Sequence, residues 1–524
     1  MPVAVIPFFC LLSALAGYVL KKRGVRTAYI WMMLVFISLI LWFFLLLIPY
    51  DRFSPIIIND WFKFGETSVS LRFALNPQNW ILVFSLIAFN LTFFLTGIAR
   101  LNVKNDLRRW IFLLLLIAFS YLAFISADFW SVVLLWTILD LIELGFYRII
   151  IGTVEGKNYF RKYIIKSLGS ILLIWNIASM SSSGFNPLIN GIVSLNTTST
   201  IFLAAILHSG IFPLITEFKL PEDDNSNEIL KSVFSVLTFA VSFSVITTLP
   251  APELPLVISF TFSLLAYLLI IFASILWITK KGLNNSLQFL LLNEAGIFIF
   301  LYFSGAAQYI TYLLALLVIS VLWLILFTHR ARNLLVFPVI STFFATGLPL
   351  SIITFGSRGF IGNGISMGLI IMLISQTLFI FGYLKFVFEK NEKFHELEIW
   401  YQTSYLAGLF FPFMSAAAII FYSRTTFSSE IQYWLLGAIV TIIGLLGYLI
   451  SRKKLTNKNT EKYLSQSRYA VILRFLSFEW LFKIFSFLEG KTRSFVNGFS
   501  GLMEGEGGIM WALVFLILIL TMLT

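Results

Sequence analysis

Cysteine is nearly absent. Cys10 stands alone among 524 residues, which excludes a disulfide within the chain and an iron–sulfur cluster held by its thiolates. The three histidines, His208, His329 and His395, lie far apart and do not form a metal-binding group with nearby carboxylates, so no metal site is expected. A glycine-rich phosphate loop and a nucleophile triad are missing too, and no stretch is long enough for a soluble catalytic domain. No cofactor and no active site are therefore expected in this chain alone. Charge is scarce, at 12% of residues against 59% hydrophobic. A soluble protein of this length could not bury so much apolar surface, so the composition is that of a polytopic membrane protein. The net charge of +12 sits in short segments between apolar runs. That pattern fits membrane topology and not nucleic-acid binding. Nor is there a secretory cleavage pattern: the first apolar run precedes Lys21, Lys22 and Arg23 instead of following a basic segment, as expected of a retained first helix that starts outside.

What the chain has in abundance is spans. Apolar runs of about 17–25 residues fall near 3–20, 27–49, 79–98, 110–126, 128–147, 161–180, 199–215, 229–248, 256–279, 284–303, 308–328, 336–355, 366–388, 402–422, 431–451 and 508–523, sixteen in all. If they alternate, the basic segments 21–26, 100–109, 148–162, 280–281, 330–332, 385–393 and 452–462 share one face. The positive-inside rule makes that face cytoplasmic and puts both termini outside. In the outer loop 51–78, residues 66–73 alternate polar and apolar and predict a short hairpin. Residues 465–500 carry polar groups at helical spacing without enough apolar length to span, predicting an amphipathic helix along the membrane surface.

Two spans are interrupted. The seventh carries His208 beside a break at Gly210 and Pro213; the twelfth carries a break at Gly347 and Pro349, with Arg358 following. A proline removes a backbone hydrogen bond and bends or ends a membrane helix. Paired broken spans in two halves of a membrane protein point to a transport site. Their offset of five spans is odd, so they cross in opposite directions, as in an inverted repeat of spans four to eight and nine to thirteen. The chain then divides into 1–109 (first three helices), 110–248 (first repeat), 256–388 (second repeat), 402–451 (spans fourteen and fifteen), the lateral helix 465–500 and a last span, 508–523.

Ionisable groups within spans are costly and mark candidate functional positions. His208 reads either as a neutral core histidine bonded to a neighbouring helix or as a proton relay, since imidazole titrates near neutrality. Asp140 and Glu143, three residues apart, share one face of span five. Glu143 reads equally as a functional carboxylate or as one paired with Arg148 or another interfacial base. Lys166 in span six is within snorkelling reach of the cytoplasmic surface, and Lys385 in span thirteen reads as an anchor or a functional cation. Glu294 lies mid-span, either functional or a protonated carboxyl bonded across a helix interface. Arg358 cannot deprotonate and serves only as a fixed counter-charge.

These residues, taken in order, resemble the antiporter-like membrane subunits of respiratory complex I (NADH–quinone oxidoreductase), Mrp-type cation/proton antiporters and membrane-bound hydrogenases, in the long sixteen-helix form with a lateral helix. His208 to Leu214 (HSGIFPL) is similar to the family's broken seventh helix, and Gly347 to Pro349 with Ser357 and Arg358 to the break and charged position of the twelfth. Trp136 resembles the helix-five tryptophan, 161–170 the start of helix six, and 293–296 a Ser-Gln-x-Gly stretch in helix ten. The departures are specific. Thr137 stands where the family has glutamate, with Asp140 one turn later. His208 and Ser357 stand where it has lysines, and Thr238 and Ser320 near its central basic positions in helices eight and eleven.

The resemblance implies an all-α fold of about sixteen transmembrane helices in two inverted five-helix repeats. It implies a proton- or Na⁺-translocating subunit of a larger membrane complex, coupled to redox chemistry or partner subunits, in a bacterial or archaeal cytoplasmic membrane. The expected partners are other membrane subunits of a complex I-, Mrp- or hydrogenase-like assembly, the lipid bilayer, and protons or Na⁺. The expected path uses Asp140 to bias a switching His208, with Glu294 linking to the second half. The alternative is a structural subunit that has lost conduction and straps its neighbours through the lateral helix.

Overall fold

The computed structural model describes residues 3–48, 50–64, 67–97, 106–151, 156–182, 195–211, 225–247, 249, 256–279, 283–303, 310–327, 329–330, 337, 340–341, 367–389, 392–393, 398–423 and 431–455. The first eleven spans correspond to helices α1 (Val5–Lys22), α2 (Thr27–Leu47), α3 (Pro77–Gly97), α4 (Asp106–Phe124), α5 (Phe129–Phe146), α6 (Gly156–Ser182), α7 (Leu195–His208), α8 (Asn225–Thr247), α9 (Leu256–Thr279), α10 (Leu283–Phe303) and α11 (Ile310–Leu326). The thirteenth to fifteenth spans are α12 (Met367–Glu389), α13 (Ile399–Ser423) and α14 (Ile431–Leu455). Almost all of the twelfth span, with Gly347, Pro349 and Arg358, lies outside the described residues, as do Pro213, the lateral helix 465–500 and the last span 508–523. Among the described residues nine helices are long and apolar enough to cross a membrane. The protein is an all-α integral membrane protein.

Burial sorts the helices. Nearly every residue of α3, of Ile229–Thr247 in α8 and of Ser286–Phe303 in α10 is buried, whereas in α1, α2 and Phe260–Thr279 of α9 fewer than half are. Exposed faces such as Phe8, Phe36, Phe260 and Leu268 are apolar, the reverse of a soluble surface. Where helices meet, tryptophan indoles donate across the joint: Trp31 to Phe94 O (2.7 Å), Trp42 to Ser415 Oγ (2.9 Å), Trp277 to Phe379 O (3.2 Å) and Trp323 to Leu409 O (3.3 Å). Lipid tails are as apolar as the helix surfaces, so such bonds and close packing hold the bundle together more than hydrophobic transfer does.

A longer pair of strands than the expected hairpin is present, residues 67–73 forming only its second strand. β1 (Ile56–Phe64) and β2 (Thr67–Phe73) pair antiparallel, from Ile56 opposite Phe73 to Phe64 opposite Thr67, with an irregularity between Ile58 and Phe62. The hairpin is stitched to the joint between α4 and α5. Phe73 bridges to Ser126, Ala74 N donates to Ile125 O and Ala127 N donates to Arg72 O, both at 2.9 Å. Asp128 then serves two elements at once. Its Oδ1 caps α5 by accepting from Ser131 N at 2.7 Å, and its Oδ2 accepts from Arg72 N at 2.5 Å. The four-residue joint between α4 and α5 thus has its freed backbone groups answered by a loop.

Asp128→Ala removes the cap and leaves the half-buried Arg72 N–H with only its 3.0 Å bond to Ser131 Oγ. The expected loss is about 1–3 kcal/mol of stability, read as a lowered melting temperature of the purified protein, with Asp128→Asn losing less.

Candidate functional site

Three stripes at helical spacing converge where α5, α6, α7 and α8 pack together. On α5, Trp136, Asp140 and Glu143 follow an i, i+4, i+7 pattern; on α6, Lys162, Lys166 and Gly169 do the same; on α8, Ser235, Thr238 and Ser242 follow i, i+3, i+7. Such a pattern keeps side chains on one face.

Lys166 is wholly buried between two carboxylates. Its Nζ lies 2.6 Å from Asp140 Oδ1 and 2.5 Å from Glu143 Oε2. The snorkelling reading of Lys166 is thus corrected: the stem turns inward, because two buried carboxylates attract the ammonium more strongly than the interface does. The pairing of Glu143 with Arg148 is corrected for the same reason. Lys162, also buried, stands 3.9 Å from Glu143 Oε1 and donates to Ser235 Oγ at 3.4 Å. The ammonium of Lys166 fills the space between the carboxylates that a metal ion would need, and among the described residues no group of His, Cys, Asp and Glu is arranged to hold one.

His208 ends α7, and the helix stops there instead of running to residue 215. Ser209 and Gly210 turn the chain, Gly210 at φ +69°. A Cβ on Gly210 would lie 2.6 Å from Lys162 Cε, so the break is also the floor on which Lys162 rests. One on Gly169 would lie 2.7 Å from Ala204 O and 2.8 Å from His208 N. That absent side chain is what lets α6 approach α7 and bring Lys166 to the site. The His208 ring stacks on Trp136 with centroids 4.0 Å apart and planes 4° apart. Its Nδ1 lies 2.7 Å from Ser242 Oγ and its Nε2 lies 3.5 Å from Asp140 Oδ1. The ring face of Trp136 and the carbonyl end of α7 both complement the charge of an imidazolium.

The structure therefore brings together Asp140, Glu143, Lys166, His208 and Gly210. It adds three residues the sequence reading did not place in the site: Lys162, Ser242 and, as a stacking partner, Trp136. Thr137, in the family's glutamate position, faces outward and bonds back to its own helix at Leu134 O (2.7 Å). Lys385 lies elsewhere, donating to Ile278 O at 2.9 Å near the end of α9. Glu294 is buried in α10 and makes no ion pair among the described residues. Beside it Asn293 Oδ1 accepts from Ser274 (3.0 Å) and Ser375 (2.9 Å), joining α9, α10 and α12. Near Ser320, Tyr383 donates to the Ser320 carbonyl at 3.0 Å and bonds Ser341. These second-half groups are neutral.

The described structure matches that of known membrane complexes. It aligns over 99% of its length with a chain of the Mrp complex from Dietzia sp. DQ12-45-1b, at TM-score 0.65 and 12% identity. The chain shares the fold of that Mrp chain. It also aligns over 86% of its length with 99% of a chain of the membrane-bound sulfane sulfur reductase, an archaeal respiratory membrane complex, at TM-score 0.55 and 13% identity. A chain of respiratory complex I from Thermus thermophilus is matched over 97% of its length by 79% of this one, again at 0.55 and 13%. The chain spans about three fifths (62%) of the Mrp chain it matches. No family model and no curated protein matches the sequence. Within that shared fold the charged cluster falls at the fifth to eighth helices, around the first break.

Replacing Lys166 by Met leaves two buried carboxylates without their cation, and the expected cost is about 3–5 kcal/mol. Lys162→Met, which loses a 3.9 Å contact with Glu143 and a long 3.4 Å bond to Ser235, should cost less, about 1 kcal/mol. Thermal unfolding in lipid nanodiscs compares them, and a triple Asp140→Asn, Glu143→Gln, Lys166→Met variant should recover most of the loss.

Proposed function

We propose that this chain is a proton-translocating, antiporter-like subunit of a multisubunit membrane complex, with His208 as the group that takes and releases the proton. The observation that carries the reading is the sharing of one oxygen: Asp140 Oδ1 is 2.6 Å from Lys166 Nζ and 3.5 Å from His208 Nε2. With His208 neutral, Lys166 holds Asp140 and Glu143 together. A proton on Nε2 adds a second cation beside Oδ1. At an effective dielectric of about 20 and a 3.5 Å separation the attraction is about 5 kcal/mol. That is the size needed to move a two-state equilibrium from about 1:99 to 99:1, about 5.5 kcal/mol. Asp140 then turns to the imidazolium and Lys166 is left to Glu143. The approach of Lys166 to Glu143 presses on Lys162, which rests on the Gly210 turn.

The fold shared with chains of Mrp, sulfane sulfur reductase and complex I assemblies supports membrane subunits as partners and redox chemistry or a partner's conformational change as the drive. In the same reading the full count is sixteen spans in two inverted repeats, with both termini outside a bacterial or archaeal cytoplasmic membrane. Protons are favoured over Na⁺ because the oxygens of the cluster already face ammonium and imidazole nitrogens, leaving the carboxylates committed.

The test is ion flux by the intact complex in vesicles. His208→Ala and Asp140→Asn should each slow proton movement at least ten-fold, a rise of about 1.4 kcal/mol in barrier, without dependence on Na⁺. Full coupling in both variants would return the chain to a structural role, and a Na⁺-dependent flux would change the ion.

A further inference from the structure

Ser242 is invisible in the sequence, one serine among several in an apolar helix, yet its hydroxyl has a definite orientation. It lies 2.7 Å from the Thr238 carbonyl, one turn back on α8, and 2.7 Å from His208 Nδ1. A carbonyl oxygen only accepts, so the single hydroxyl proton is committed to Thr238. The Ser242 oxygen then has only lone pairs to offer the imidazole, and Nδ1 must carry a hydrogen. Were the hydroxyl turned to Nδ1 instead, two oxygens would face each other at 2.7 Å with no proton between them.

We infer that Ser242 is a positioning residue that fixes the tautomer of His208, keeping Nδ1 protonated so that Nε2 alone exchanges the transported proton. The geometry around the ring supports this from every side. From α5, Asp140 Oδ1 faces Nε2 and Trp136 covers the ring face. From α6, Lys166 holds the same Oδ1, with Glu143 of α5 and Lys162 of α6 one step further out. Only α8 reaches Nδ1 among the described residues. A free histidine prefers its lone hydrogen on Nε2, which here would leave an unprotonated Nδ1 against the Ser242 lone pairs and spoil the acceptor role of Nε2. Holding the hydrogen on Nδ1 makes Nε2 the proton acceptor and points the incoming charge at the oxygen Lys166 must release.

The inference rests on the proposed role of His208, but its test is separate. The full chain in its complex, labelled with ¹⁵N-histidine in a His329→Gln, His395→Gln background, gives one imidazole by solid-state NMR. Between pH 5 and 9 the Nδ1 signal should remain that of a protonated nitrogen while Nε2 switches. Ser242→Ala should shift the neutral form toward a hydrogen on Nε2 and slow proton flux about ten-fold, and Ser242→Thr, which keeps the hydroxyl, should restore both. A hydrogen on Nε2 in the neutral wild type, a ring doubly protonated throughout, or an unchanged tautomer in Ser242→Ala would each overturn it. If the tautomer behaves as described but flux ignores His208, the proposed function fails and the assignment of Ser242 stands.

Discussion

The site depends on one ammonium group. Two carboxylates three residues apart on a membrane helix would each cost several kcal/mol if left ionised and alone in hydrocarbon. Lys166 meets both, at 2.6 and 2.5 Å, and its position dictates its surroundings. It has to arrive from a second helix at close range, which requires Gly169 where α6 crosses α7. It also needs the chain to leave α7 at once, which Gly210 permits. Buried ion pairs are poor devices for stability, since apolar residues of the same shape hold a fold as well or better. A charged cluster kept at the centre of four helices is therefore better explained by what its charges can do.

What they can do follows from the coordination around Asp140. A carboxylate with one cation partner is static. One shared between a permanent cation and a titratable ring has two arrangements. The broken helix puts that ring at the end of α7, where the Ala205 carbonyl accepts from Ser209 N at 2.9 Å and the Ile206 carbonyl from the Ser209 hydroxyl at 2.6 Å. A continuous helix would bury the histidine mid-turn, with its backbone neighbours committed to one another. The break thus does more than bend a span. It places a chargeable ring where the local field suits the charge, and it gives Lys162 a surface without a side chain to rest on.

Much of this was legible in the sequence, and the failures have a common cause. The spans, the joint at Ser126 to Asp128, the hairpin and the break beside His208 are all local signals: hydrophobic length, alternation and a glycine or proline. Asp140 and Glu143 were readable as a pair because three residues along a helix is a fixed geometry. Their partner was not. Lys166 lies 23 residues beyond Glu143 in another helix, and nothing local distinguishes a lysine reaching inward from one snorkelling outward. The spacing of Lys162, Lys166 and Gly169 held the clue, since a glycine one turn past a lysine marks the face packed against a neighbour. Ser242 had no such signal. Its role comes from a contact across 34 residues, and serines of the same helix, such as Ser244, only bond back to their own backbone.

The two halves of the described structure are not electrically alike, and that asymmetry follows from chemistry. In the first half, α5 to α8, charges of both signs face each other within 4 Å. In the second, the junction of α9, α10 and α12 is built from Ser274, Asn293 and Ser375, and that of α11 and α12 from Tyr383 against the Ser320 carbonyl. Neutral hydroxyls and amides satisfy one another at little desolvation cost, and Lys385 of α12 lies apart from them with its ammonium on the Ile278 carbonyl. Glu294, buried beside Asn293 with no cation opposite among the described residues, can cross such a region only as a neutral acid or in exchange of its proton. In the proposed reading, permanent charges at one end and neutral, hydrogen-bonding groups at the other are what a mobile proton would use.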